Sequence, residues 1–173
     1  MGMSSSEWSR YMHSELGVPM EPNEISAAVV KELGAYYRRR IPLLPHAVEA
    51  VRALAGRWPL AVASSANRPL IDLVLDLTGM AGLFRATVSS EEVPRGKPDP
   101  DVYNEAARRL DVDQGACVAV EDSTNGIRSA HAAEMRVIAV PRPDYPPSAE
   151  ALHLADAVIE SLSELEPALD GLS

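Results

Sequence analysis

Cysteine is nearly absent from this chain. Cys117 stands alone, so neither an internal disulfide nor a cysteine-built metal cluster is available. Lying in an apolar run, it reads as an inert buried thiol. Long apolar runs are missing as well, and no stretch approaches the length needed to span a bilayer. The N-terminal Met1-Gly2-Met3-Ser4 lacks the charged-then-apolar layout of a secretion signal. Together these absences lead to the expectation of a cytoplasmic protein. Positive charge is also in short supply. Sixteen basic residues face 25 acidic ones, a net charge of −9, which disfavours nucleic acid and anionic membranes as partners. Lysine is scarce, with only Lys31 and Lys97 against fourteen arginines. The four histidines (His13, His46, His131 and His153) are scattered without ligand spacing and read as structural or surface residues. No internal repeat or low-complexity tract is visible. What remains is ordinary for a globular protein: 46% hydrophobic and 24% charged residues in 173, enough for one cored domain with a small appendage.

Apolar spacing organises the chain. Residues 4–16 predict a helix, with Trp8, Tyr11, Met12 and Leu16 at helical intervals and Gly17-Val18-Pro19 as its stop. A second helix is expected from about Asn23 to Arg40. Its terminal Arg38-Arg39-Arg40 favours the negative end of the helix dipole and reads as a solvated helix end. No strand separates the two, so residues 1–41 read as a helical cap or insert. The proline-punctuated Ile41-Pro42-Leu43-Leu44-Pro45 marks the boundary to residues 42–173. From there helices and strands alternate. Strands are expected at 60–63, 86–88, 117–120, 137–140 and 157–159, with helices at 45–56, from Pro69 to about 77, from Asp99-Pro100 to 110, at 125–133 and at 162–169. Such alternation predicts an α/β fold with a doubly wound parallel sheet.

Ligands bind at the carboxyl edge of a sheet of this kind, and three segments deliver polar groups there. Ser64-Ser65-Ala66-Asn67 precedes a helix N-terminus, where hydroxyls and backbone N–H groups suit an anion such as phosphate; the same residues also suit ordinary capping. Gly96-Lys97-Pro98-Asp99-Pro100 carries one of the two lysines, a compact ammonium able to enter a pocket, or else a surface lysine in a turn. The apolar run 117–120 ends in Glu121-Asp122, a carboxylate pair whose mutual repulsion a hard cation would relieve, or whose Asp122 and Ser123 cap the next helix. An anion loop, a lysine and a carboxylate pair together form a phosphoryl-transfer constellation.

Val62-Ala63-Ser64-Ser65, Gly96-Lys97-Pro98-Asp99-Pro100 and Val120-Glu121-Asp122-Ser123-Thr124-Asn125-Gly126-Ile127 resemble motifs II, III and IV of the haloacid dehalogenase-like hydrolase superfamily, in order and at its spacing. The nearest branch resembles the phosphoglycolate phosphatase and β-phosphoglucomutase group, with a helical cap ahead of motif II. The resemblance implies a Rossmann-like core, Mg²⁺ as cofactor and a small phosphorylated metabolite as substrate. It implies that Ser64 binds the transferring phosphoryl group, with Ser65 and Asn67 beside it. Lys97 would stabilise the nucleophile and the developing charge, Asp122 would ligate the metal and Glu121 would be its acidic companion.

One departure outweighs the matches. The superfamily's nucleophile is the first aspartate of an Asp-x-Asp ending a strand ahead of the cap. Here Asp99-Pro100-Asp101 lies within motif III and Asp111-Val112-Asp113 lies in a loop, so neither serves. The expectation is a chain that begins inside the cap, at a Gly2-Met3-Ser4 resembling a mid-cap segment, and that lacks the strand lying between 60–63 and 117–120. Such a chain would be inactive alone, and its strands at 60–63 and 117–120 would either keep open edges prone to self-association or be forced to pair directly. A phosphomutase of the same branch and a non-catalytic phosphate-binding remnant are the alternatives. Ser5, where the mutase branch has a basic residue, weighs against the mutase.

Overall fold

The structure, a computed structural model, describes residues 4–172. Gly2 and Met3, part of the mid-cap resemblance, lie outside the described residues. The chain opens with two helices packed on each other, α1 (Ser5–Ser14) and α2 (Pro22–Arg39). Both begin at an acidic box: the Ser4 N–H donates to Glu7 at 2.7 Å and the Glu21 N–H to Glu24 at 3.1 Å. These bonds satisfy amide groups that a helix start leaves without partners. After residues 40–44, which form no regular element, α3 (Ala47–Ala55) leads into the alternating part.

That part runs β1 (Leu60–Ser64), α4 (Arg68–Thr78), β2 (Phe84–Ser89), α5 (Asp101–Leu110), β3 (Val118–Glu121), α6 (Thr124–Ala132), β4 (Arg136–Ala139), α7 (Ala149–Leu152), β5 (Ala157–Val158) and α8 (Leu165–Gly171). All strand pairs are parallel. The α/β reading therefore holds, but the strands form two sheets rather than one continuous sheet: β1–β2, and β3–β4–β5. The inner strands β1 and β3 are not hydrogen-bonded to each other, and among the described residues neither has a second strand neighbour.

Helices cover both faces. On one, Val102, Tyr103, Ala106 and Ala107 of α5 and Ile127 and Ala130 of α6 pack on Val88, Ala119, Val137 and Ala139. On the other, Leu54 of α3 and Leu165 of α8 enclose Ile138, Val140 and Ile159, while Ile71 and Leu75 of α4 pack towards α3 and Val62. Each fully buried Val or Ile side chain contributes about 1.5–3 kcal/mol, so the central strand β4, with Val137, Ile138 and Ala139 at zero exposure, anchors its sheet. By contrast β1 is only half-buried along its whole length, and Val120 of β3 is 40% exposed. These are the strands that face the gap. Cys117 lies one residue ahead of β3 and is half-exposed rather than buried; its thiol reaches the Asp113 carbonyl at 3.3 Å. Burial first, and then the Asp113 charge, push this thiol's pKa up, in keeping with an inert group.

Candidate active site

The carboxyl ends of β1 and β3 converge on Lys97. Its side chain is 6% exposed and crosses the space between the two sheets. The ammonium donates to the Ala63 carbonyl of β1 at 3.1 Å, approaches the Tyr103 hydroxyl at 3.4 Å and pairs with the Glu121 carboxylate at the end of β3. It also lies 4.7 Å from the centroid of the Tyr103 ring. A tight turn delivers this lysine: the Asp99 N–H bonds to the Gly96 carbonyl at 3.0 Å, and the Lys97–Pro98 peptide is cis. From α6, the fully buried Ser129 donates to the Asp99 carbonyl at 2.6 Å, while Arg95 pairs with Asp99 and Asp101 on the outside.

Glu121 is fully engaged. Tyr103 donates to its Oε1 at 2.6 Å and Ser123 to its Oε2 at 3.1 Å, in addition to Lys97. Ser123 in turn caps α6 by accepting from the Gly126 N–H at 3.0 Å. A Cβ at Gly126 would sit 1.8 Å from Glu121 Oε2, so the carboxylate rests on bare backbone that only glycine provides. Burial pushes the Glu121 pKa up, but the Lys97 charge and the hydrogen bonds from Lys97, Tyr103 and Ser123 outweigh it and hold the group below the usual carboxylate range. Burial, followed by the charge of Glu121, drives the Tyr103 phenol well above its ordinary value.

Asp122, the next residue, is half-buried. Burial and the neighbouring Glu121 raise its pKa against the opposing charge of Arg142. It is a hard oxygen donor of the kind Mg²⁺ takes. Among the described residues, however, no three Asp, Glu, His or Cys side chains converge on a point that could hold a metal. The donor chemistry fits a divalent cation, but the set these residues offer is incomplete, and Glu121 is committed to Lys97.

The loop after β1 is braced from the end of β2. Ser89 donates to the Ala66 carbonyl at 2.7 Å and Ser90 to the Ser64 carbonyl at 3.2 Å. The Ser64 hydroxyl accepts from the Ala66 N–H at 3.1 Å. Ser64 thus stands one residue from the carbonyl that Lys97 holds, and Ser65 follows it. Asn67 behaves differently. It is buried at the start of α4, and its amide donates to Ser26 of α2 at 3.1 Å and to Glu91 at 2.8 Å. The structure therefore brings Ser64, Lys97, Glu121 and Asp122 to one edge and turns the Asn67 amide towards the helical pair. Sequence reasoning passed over Ser89, Ser90, Glu91 and Tyr103. A polar triplet ending an apolar run was a visible signal for the first three. Tyr103 carried none beyond its place on the apolar face of a helix.

A family model described as haloacid dehalogenase-like hydrolase matches residues 2–134. Hexitol phosphatase B of Escherichia coli is 41% identical over 126 residues, which cover 72% of this chain and 56% of that protein. A probable pseudouridine-5'-phosphatase of Drosophila melanogaster is 31% identical, over 99% of this chain and 76% of its own length. Among solved structures, CbbY of Rhodobacter sphaeroides in complex with phosphate superposes with a TM-score of 0.82 at 26% identity, covering 95% of this chain and 76% of that one. A β-phosphoglucomutase of Clostridium difficile shares the fold, with a TM-score of 0.80 at 19% identity over 98% of this chain and 77% of its own. The chain spans about half the length of several of the curated relatives it matches, hexitol phosphatase B included.

Proposed function

The chain belongs to the haloacid dehalogenase-like hydrolase family, and we propose that its sheet edge binds the phosphoryl group of a small phosphorylated metabolite as part of a cytoplasmic phosphatase. The observation that carries this reading is the buried ammonium of Lys97, held between the end of β1 and Glu121 beside the Ser64–Ser65 loop. A buried cation next to hydroxyls and backbone N–H groups favours a phosphate dianion, and more so the charge that develops as its ester bond breaks. The names of the relatives point the same way. Ser64 and Ser65 would donate to the phosphoryl oxygens. Lys97 would neutralise their charge, with Glu121 and Tyr103 fixing its direction. A divalent cation, Mg²⁺ for preference, would be held through Asp122 and supply further charge neutralisation when bound.

An aspartyl-phosphate route needs a free carboxylate facing Ser64 and Lys97. Among the described residues, Glu121 is tied to Lys97, Asp101 pairs with Arg95, Asp111 and Asp113 lie between α5 and β3, and Asp122 is the residue assigned to the cation. The chain is therefore expected to bind phosphate weakly without turning over esters. Calorimetric titration with inorganic phosphate, with and without Mg²⁺, alongside a chromogenic ester assay, tests this. The expected result is weak phosphate binding that Lys97→Ala abolishes, and no hydrolysis above background. Mg²⁺-dependent turnover by the chain itself would show that one of these carboxylates is the nucleophile.

A further inference from the structure

The α1–α2 pair meets the rest of the molecule in two chemically different ways. On α2 the contact is close and in part apolar: a Cβ at Gly34 would lie 3.5 Å from Leu73 of α4. At the start of α1 it is polar and converges on one carboxylate. The Ser5 hydroxyl donates to Glu91 Oε1 at 2.8 Å, and the Asn67 amide donates to the same oxygen at 2.8 Å. The Arg68 N–H donates to Glu91 Oε2 at 2.9 Å, so Glu91 also caps α4, a task the Asn67 side chain leaves undone. The second donation from Asn67 goes to Ser26 of α2. Ser5 and Asn67 are 4% and 6% exposed, so both need protein partners. Just ahead of Ser5, the Ser4 Cβ is 3.0 Å from where a Gly96 side chain would begin, which places α1 against the residue preceding Lys97.

We infer that Glu91 is a positioning residue, a latch that fixes the start of α1 over the loop joining β1 to α4, with Asn67 as its second half. Four segments meet at this one carboxylate: α1, the start of α4, the turn Ser90–Glu92 that carries it and, through Asn67, α2. The apolar seat of α2 on α4 acts as the pivot and the Glu91 node as the catch. The latch sets how far α1 stands from Ser64, Ser65 and Lys97, and hence how much room lies above them. Asn67 serves this geometry and is not a substrate ligand. The latch stands whether or not the site turns over an ester.

Hydrogen exchange on the full chain tests it. In Glu91→Ala the buried donors of Ser5 and Asn67 lose their acceptor. Amides of α1 should then exchange about tenfold faster, those of α2 less so, and those of α5 and α6 at the original rate. Glu91→Gln keeps an acceptor oxygen for Ser5 and Asn67 and should restore most of the protection. Ser5→Ala, a milder change that covers the case of a misfolded Glu91→Ala, should speed α1 alone by about threefold. Unchanged α1 protection in these variants would overturn the latch. So would acceleration spread equally over α5 and α6, or a Gln variant no better than Ala.

Discussion

Besides Lys97 and Ser123, two residues shape how the buried carboxylate of Glu121 is held, and both lie outside the chemistry proper. Gly126 leaves the space the carboxylate occupies, since any Cβ there would overlap Oε2. Gly126→Ala should therefore displace Glu121, break its bond to Ser123 and cost about 1–3 kcal/mol, measurable by urea denaturation. A variant as stable as the parent would mean that the carboxylate has another seat. Tyr103 supplies the other support, a 2.6 Å donation to the oxygen that Lys97 also uses. A hydrogen bond to a charged acceptor contributes about 1.5–3 kcal/mol. Tyr103→Phe should lower stability by about that amount and, because Lys97 loses its brace, weaken phosphate binding as well. Loss of stability with phosphate affinity intact would confine Tyr103 to a packing role.

At the scale of elements, α4, β2 and α5 are joined through one glutamate. Glu92 pairs with Arg68 of α4 and with Arg109 of α5 at 2.8 Å, and it accepts from the Ser89 N–H at 2.9 Å. The two arginines continue to Asp72 and Glu105. Burial would raise the Glu92 pKa, but the bonds from Arg68, Ser89 and Arg109 outweigh it and bring it to about 2. A carboxylate depressed in the folded state contributes stability that is present above its unfolded pKa of about 4.5 and is lost as pH falls towards 2. With the side chain 30% exposed, solvent screening reduces the contribution to about 1–2 kcal/mol. Glu92→Gln should therefore flatten the fall in stability between about pH 5 and pH 2 and lower stability at neutral pH. An unchanged slope would leave Glu105, also brought to about 2 by Arg108 and Arg109, as the acid-sensitive group. Arg68 and Arg109 have a second effect: both donate to the Thr87 carbonyl of β2, at 3.0 and 2.7 Å. They thus cover a strand that has β1 on one side only.

For the whole molecule the gap between β1 and β3 is the governing feature. The Thr87 carbonyl of β2 is covered, and β5 is only two residues long. Among the described residues the inner strands have no strand partner on their facing sides, and Lys97 bridges them near their carboxyl ends. Edges of this kind invite pairing with another chain, and each buried backbone group left unpaired costs about 1–3 kcal/mol against a total stability of about 5–15 kcal/mol. The chain alone should therefore self-associate as concentration rises and melt at modest temperature. Adding a parallel apolar strand of the kind the family resemblance implies should raise the melting temperature and restore the monomer. Light scattering with thermal melting reads both quantities. A monomer that melts cooperatively at high temperature and gains nothing from the strand would show that two separate sheets suffice.

The sequence by itself determined the succession of elements, the placement of Ser64, Glu121 and Asp122 at strand ends and of Lys97 in the turn ahead of α5, and the family. Each of these is written in local pattern: apolar runs that stop at polar residues, helix starts at Ser123 and Pro69, and short motifs at fixed spacing. The family resemblance also implied a strand between β1 and β3, and without it left two outcomes open: open inner edges, or direct pairing of β1 with β3. Only the tertiary structure decided that the inner edges stay open. It also decided that Glu121 serves Lys97 and Tyr103, and that Asn67 faces Ser26 and Glu91. The physical reason is that a carboxylate or an amide has several possible partners of equal chemistry. Which one it takes depends on distances between residues 24 or 41 positions apart in the chain, and those distances exist only once the helices have packed.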